Sequence, residues 1–346
     1  MESDISGKIF EVDDKEMNEG RKMPKEVALV SIIIPVKNGL PYVVDVYKMI
    51  AEQDVDFEYE VIVIDSGSTD GSLKAVPLDD ERFRLVEIPS VSFGHGRTRN
   101  LGVELARGEL CVFLTHDAVP ANSRWLAELV RPLREDCRIA AAFGRHIAHR
   151  NASPFAAWEL EAHFAGLRQW PVVWISDARE YAKNQGLRQV FHFYSDNSSC
   201  LRKSVWEKYP YPDVSFAEDQ LWAKMIVEAG YRKAFSWDSI VHHSHEYSFW
   251  DRLSRSYDES KALHELFGYR LASSKYEVIR QILRTTARDL KLSFINGWVF
   301  SNFWAVAKQP FDNVARQVGY YLGAANLSFV ERNEAKFSRD KQLMGR

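Results

Sequence analysis

Three apolar runs each stop on a polar or glycine-rich turn: VSIIIPVKNG at 30–39, EVIVIDSGSTDGS at 60–72 and LCVFLTHDAVP at 110–120. Continuous β-branched residues, without alternation, indicate strands buried on both faces, as parallel sheets require. Helix signals lie between them: 41–53, with its proline near the start, and 97–106, entered through Gly94 and Gly96. A strand at 84–88, a helix at 125–133 and a strand at 139–143 extend the alternation. The expected fold is α/β, a mostly parallel central sheet flanked by helices. Ligands of such sheets bind beyond the carboxyl ends of the strands. The three polar ends are therefore expected to face one crevice.

The 346 residues allow one large domain, or one domain with an appendage. A hydrophobic fraction of 46% supports a real core. A net charge of −3 argues against a nucleic-acid partner held by bulk charge. Cys111, Cys137 and Cys200 are far apart and form no CxxC, which suits a reducing compartment and neither a disulfide framework nor a zinc site. Residues 1–26 are charged, broken by Gly and Pro, and lack the apolar stretch of a secretory signal, so they read as a mobile polar tail. No run is long and apolar enough to span a bilayer, and a cytoplasmic location is expected.

From 148 to 187 the periodicity is mixed and aromatic residues are frequent, among them Phe155, Trp158, Phe164, Trp170 and Trp174. The stretch is either an acceptor-side part of a site or a helical excursion covering the sheet. A helix over 219–230 ends on Gly230, and 234–241 leads into VHHSH at 241–245. Residues 249–271 and 276–294 are expected to be helical. In the second, Arg280, Arg284, Arg288 and Lys291 form one stripe, while Ile279, Ile282, Leu283, Leu290 and Phe294 form another. With Trp298, Phe300, Phe303 and Trp304 following, this pattern suits an anionic membrane surface. A helix packed on its own domain, with a solvated basic face, is the alternative.

Asp65 closes a buried strand, where its carboxylate can accept from a uracil or thymine N–H or from ribose hydroxyls. An Asx-turn is the plainer reading. In FGHGRTRNLG at 93–102, Arg99 stands where a dinucleotide fingerprint needs its third glycine. A nicotinamide-dependent oxidoreductase is disfavoured on that ground, and no P-loop occurs. What is left is a helix start carrying Arg99 and Asn100, chemistry fit for a phosphate or a base edge. Asp117, in THDA, offers a hard oxygen to a divalent cation on a diphosphate; taken alone, an acid at a helix N-terminus is the plainer reading. Glu218 and Asp219 open a helix, where one carboxylate can take a proton from a sugar hydroxyl; two ordinary acids at a helix start are the alternative. In an extended segment His243 and His245 share one face and His242 takes the other. With no HExxH or neighbouring cysteine, an imidazole completing a Mg2+ or Mn2+ shell fits better than zinc.

Over about residues 28–250 these motifs resemble the family-2 glycosyltransferases of the GT-A fold. Within that family the chain is similar to bacterial rhamnosyltransferases that build surface polysaccharides. The narrower likeness rests on FGHGRTRNLG, FLTHDAVP, AAAFGRHIAHRNASP (140–154), YSDNSSCLRKSVWEK (194–208), AEDQLWA and VHHSHEYS. The resemblance implies a GT-A domain at 27–250 and a helical C-terminal extension at 251–346, attached peripherally to the inner face of the cell membrane.

The resemblance also implies roles. Pro35, Lys37, Asn38, Asp65, Ser66, Arg99, Asn100, Thr115, His116 and Asp117 would line the nucleotide-sugar site. THDA takes the place of the family's DxD, with Thr115 where the first Asp would stand. Asp117, His243 and His245 would hold Mg2+ or Mn2+. Asp219 would be the base, with Glu218 beside it, and Asn197, Ser198 and Trp222 would lie on the acceptor side. The implied reaction is inverting transfer of a sugar, L-rhamnose from dTDP-L-rhamnose or a related dTDP- or UDP-linked donor, to a glycan or lipid-linked glycan. A non-catalytic glycan- or nucleotide-binding scaffold keeping the fold is the alternative, motivated by Thr115.

Overall fold

The computed structural model describes residues 29–325 and 332–339, so the expected tail at 1–26 lies outside the described residues. The apolar runs form β1 (Val30–Val36), β2 (Tyr59–Asp65), β3 (Phe83–Glu87) and β4 (Leu110–Leu114). They pair in the order β3-β2-β1-β4, all parallel. The sheet continues as β8-β6-β9-β5, built from β5 (Val119–Pro120), β6 (Ile139–Ile147), β8 (Ser198–Arg202) and β9 (Arg232–His242), with β7 (Val172–Val173) also on β9. Here only β6 and β9 run parallel, and β8 lies antiparallel between β4 and β6. The sheet is thus parallel on one side and mixed on the other. The long excursion after β6 feeds β8 back in the opposite direction.

Alternation along the buried strands divides the core into two layers. Ile32, Ile34, Val61 and Val63 pack with α1 (Tyr42–Ala51) and α3 (Trp125–Glu135). Ile33, Ile62 and Ile64 pack with α2 (His95–Leu105) and with Trp222. Helix α2 approaches β1 so closely that a Cβ at Gly102 would collide with Ile33. The close packing that a dinucleotide fingerprint assigns to position 99 is served here by Gly102.

The stretch after β6 is a helical cover: α4 (Pro154–Leu167), α5 (Ala178–Lys183) and α6 (Gln185–His192) contribute Phe164, Leu167, Tyr181 and Phe191 to the second core layer. Next come α7 (Lys203–Trp206) and α8 (Glu218–Glu228). The chain ends in α9 (Phe249–Phe267), α10 (Lys275–Ile295), α11 (Trp298–Ser301), α12 (Phe303–Ala324) and α13 (Glu334–Phe337). Gly319 and Gly323, one turn apart on α12, let it touch the backbone of α9. Arg316 of α12 makes a two-pronged ion pair with Glu159 of α4 at 2.7 and 2.9 Å, tying these helices to the sheet domain.

Helix α10 is oriented differently from a packed amphipathic helix. It docks on α12 through buried Asp289, which accepts from Gln309 Nε2 at 3.0 Å and from Asn313 Nδ2 at 2.8 Å. Its buried residues are Val278, Asp289 and Ser293. Tyr276, Ile279, Leu283, Leu290 and Phe294 face solvent instead. A polar seam has taken the inward face, so the apolar stripe is left outside.

Candidate active site

The register places Val36 beside Asp65, so the loops leaving β1 and β2 start side by side. They are then stitched together. Lys37 Nζ donates to the Ser66 and Gly67 carbonyls, each at 2.9 Å, and to Ser90 Oγ at 2.8 Å. Asn38, at φ +50°, donates its N–H to Ser68 Oγ at 2.8 Å and accepts from the Thr69 N–H at 2.8 Å. Ser66 Oγ donates to the Val36 carbonyl at 3.1 Å. At Asp65 the plainer reading, the Asx-turn, is the one the contacts show. Its Oδ1 accepts from the Gly67 and Ser68 N–H groups at 2.7 and 2.8 Å, an Asx-turn. Its Oδ2 is buried without a protein partner. Such an atom needs a donor from elsewhere.

The loop after β4 joins this pair through packing, because Gly39 leaves room for the His116 ring, 3.2 Å from where a Cβ would stand. Thr115 donates its N–H to the Asn197 carbonyl at 3.4 Å. Asp117 then meets the end of β9. His243 Nε2 lies 3.7 Å from Asp117 Oδ1, and His245 Nε2 lies 3.7 Å from Asp117 Oδ2. One ligand atom from each of the three falls within 4.8 Å of the others. His242 turns away, its Nδ1 3.3 Å from the Ala148 carbonyl. Burial pushes His243 down to about 4, despite the pull of Asp117. Burial tends to raise the Asp117 carboxyl, but the imidazoles of His243, His116 and His245 outweigh it and hold the carboxyl below its usual range. A neutral imidazole beside an ionised carboxylate is the protonation state that divalent cations require. One carboxylate and two imidazoles make a donor set that a divalent cation can use.

The third group lies at the start of α8. Asp219 Oδ2 accepts from the Asp196 N–H at 3.3 Å, and Asp219 Oδ1 accepts from the Gln220 N–H at 2.7 Å. The next residue, Asn197, brings its Nδ2 to 3.4 Å from His243 Nδ1. One strap, Asp196–Asn197, therefore touches both the base candidate and the cation triad. Burial raises Asp219 well above the usual carboxylate range, and the neighbouring Glu218 and Asp196 carboxylates add to the effect.

The profile of glycosyl transferase family 2 matches residues 31–209. The chain belongs to glycosyl transferase family 2. It is 32% identical over 237 residues to the O-antigen chain rhamnosyltransferase RfbN of Salmonella typhimurium, a match covering 66% of this chain and 70% of that one. Identity to the O-antigen chain rhamnosyltransferase WbaN of Salmonella anatum is 30% over 202 residues, covering 58% and 61% of the two chains. A mannosyltransferase from Pyrobaculum calidifontis, solved with GDP-Man and Mn2+, superposes with a TM-score of 0.52 at 18% identity, covering 94% of this chain and 86% of that one. The protein is a glycosyltransferase of the GT-A fold.

Not every residue singled out from the sequence reaches the cleft of this family-2 enzyme. Asn197 is half-buried with its Nδ2 facing His243, whereas Ser198 and Trp222 are wholly buried. Ser198 Oγ accepts from Trp125 Nε1 at 2.9 Å, and Trp222 Nε1 donates to the Tyr209 carbonyl at 2.6 Å. Both support the core behind the site and offer no face to an acceptor. Asn100 spends its amide on the protein as well, donating to the Tyr211 carbonyl and accepting from Trp206 Nε1 and the Tyr211 N–H. Arg99 is enclosed between Asp196 and Glu218. Sequence reading passed over Asp196 although it sits in the quoted YSDNSS, because its role comes from partners far away in the chain. His146 was passed over too. It is buried edge-on to His243, ring centres 5.4 Å apart, with its Nε2 unpartnered.

Proposed function

We propose that the enzyme transfers a sugar with inversion, L-rhamnose from dTDP-L-rhamnose, to a glycan or lipid-linked glycan acceptor. The observation that carries this reading is the Asp196–Asn197 strap, which touches both Asp219 and His243. The donor would lie along Pro35–Asn38, Asp65–Ser66 and Thr115–Asp117, with the free Asp65 Oδ2 accepting from the base or ribose. Asp117, His243 and His245 would hold Mg2+ or Mn2+, and the bound cation would supply positive charge against the departing diphosphate. Asp219 would take the proton from the acceptor hydroxyl as that oxygen attacks the anomeric carbon from the face opposite the leaving group. One displacement inverts the centre and needs no carboxylate nucleophile. The rhamnosyl donor is supported by the names of the two Salmonella relatives. A thermal-shift and hydrolysis screen across dTDP-, UDP- and GDP-linked sugars, with and without Mn2+, tests it. The expected result is cation-dependent stabilisation by dTDP sugars, and a preference for GDP sugars would overturn the donor assignment.

The same reading places the enzyme against an anionic membrane, at the inner face of the cell membrane. Among the described residues no helix is long and apolar enough to cross a bilayer. Attachment would be lateral, by the outward stripe of α10. In the following helices α11 and α12, Phe300 and Trp304 are 90% and 82% exposed, and Phe303 and Phe311 are exposed as well. Arg284 and Lys291 flank the stripe and are exposed. Apolar residues with basic residues along one edge suit an interfacial helix. Each basic residue near an anionic surface contributes about 1 kcal/mol. Flotation with phosphatidylserine-containing vesicles should be lost in Leu283→Ser/Phe294→Ser and weakened in Arg284→Glu/Lys291→Glu. Undiminished flotation of both variants refutes the attachment.

A further inference from the structure

We propose that Arg99 is a positioning residue whose guanidinium grips Asp196 and Glu218 and so sets the Asp219 carboxylate for its role as base, without touching the donor. The proposal rests on the transferase reading above. Arg99 comes from the middle of α2, where its Nη1 donates to the His95 carbonyl at 3.1 Å and to Glu218 Oε1 at 2.8 Å. Its Nε lies 3.0 Å from Asp196 Oδ2, a close ion pair without hydrogen-bond alignment. Arg99, Asp196 and Glu218 are all buried, and the guanidinium is taken up by the two carboxylates and the His95 carbonyl.

Both residues that Arg99 grips are attached to Asp219. Glu218 is its chain neighbour, and Asp196 donates its N–H to Asp219 Oδ2. Asp196 is fixed on its other side, where Oδ1 accepts from Ser199 Oγ at 2.6 Å and from Tyr211 Oη at 2.9 Å. Helix α8 needs such a grip at its start. Its N-cap is Ala217 at φ +57°, a left-handed conformation unfavourable for alanine, and no side chain caps the helix. The Arg99–Glu218 pair holds this strained turn closed, and the turn directs Asp219 to the strap. A base displaced by about 1 Å is expected to lose on the order of 100-fold in rate.

The clamp also sets the charge around Asp219. Asp196 and Tyr194 face it from the segment before β8, Tyr211 from the loop before α8, Arg99 from α2, Glu218 from its own helix and Lys233 from β9. Deleting the Glu218 charge favours ionised Asp219, and loosening Arg99 disfavours it. The two changes therefore shift the acid limb of the rate profile in opposite directions.

The experiment compares the wild-type chain with Arg99→Lys and Glu218→Gln, both of which keep a polar group of similar size. For Arg99→Lys we expect kcat to fall about 10- to 100-fold, with the affinity for dTDP in Mn2+ held within about twofold, and an acid limb moved to higher pH. For Glu218→Gln we expect a limb moved to lower pH. Asp219 ionisation is also followed directly by 13C NMR of carboxyl-labelled aspartate, assigned with Asp219→Asn, and should show the same opposite shifts. Loss of dTDP affinity in Arg99→Lys in step with kcat would make Arg99 a donor contact and overturn the proposal. So would wild-type kcat in Arg99→Lys, or an Asp219 titration indifferent to both changes. A wild-type chain that turns over no dTDP-linked sugar would instead sink the donor and base assignments on which the proposal rests, with the NMR titration still measurable.

Discussion

Replacing Asp219 by asparagine is expected to slow sugar transfer by about 100- to 10,000-fold, the range a positioned general base supplies. The variant should fold and should bind the nucleotide as before. Asparagine keeps the shape, its carbonyl oxygen can still accept the Gln220 N–H that Asp219 Oδ1 accepts now, and only the long 3.3 Å contact from the Asp196 N–H is lost. The pH dependence of stability gives an independent check. Burial, with Glu218 and Asp196 nearby, holds the Asp219 pKa in the folded chain above its unfolded value. The unfolded chain releases this proton at lower pH than the folded chain does. Between the two pKa values folding thus loses stability as pH rises, and above the folded value the loss is constant. Asparagine carries no such loss. Melting curves should show Asp219→Asn gaining on the wild type from mildly acidic pH upward. In the wild type, turnover should climb with pH along a limb lying above the ordinary aspartate range. Full turnover in the variant would remove Asp219 as the base.

The strand ends were legible because their signal is local. A β-branched run that stops at Asp65 or at THDA reports a buried strand and its carboxyl end, and parallel topology then brings those ends together. The histidine alternation was legible for the same reason, since a period of two puts His243 and His245 on Asp117 and sends His242 elsewhere. Long-range pairings were not legible. Nothing near Arg99 indicates that its partners stand at 196 and 218, so a helix-start arginine suggested a phosphate. Ser198 and Trp222 lie within quoted motifs, yet motif membership does not separate a residue at the cleft from one in the core behind it. On α10 the 3.6-residue period separated basic from apolar residues, but the docked face of Val278, Asp289 and Ser293 belongs to neither stripe. The period could not tell which face would dock, because that was decided by Asp289 meeting Gln309 and Asn313 of another helix.

Asp117→Asn is expected to abolish the dependence of nucleotide binding on Mn2+ and to cut transfer by about 100-fold or more, the rate equivalent of several kcal/mol of lost charge stabilisation. Among the described residues Asp117 is the only carboxylate in the triad with His243 and His245. Thr115, two residues earlier, has no charge with which to replace it. The amide keeps the volume of the side chain and removes the negative charge, so the two imidazoles alone would face the cation. The effect should be confined to phosphate-bearing ligands. In calorimetry, dTDP should bind the variant as weakly as it binds the EDTA-treated wild type, and thymidine should bind both proteins equally through the Asp65 end of the cleft. That pattern separates cation loss from misfolding, which would weaken thymidine too. Mn2+-dependent dTDP binding that survives in Asp117→Asn would place the cation away from the three side chains that meet at the end of β9.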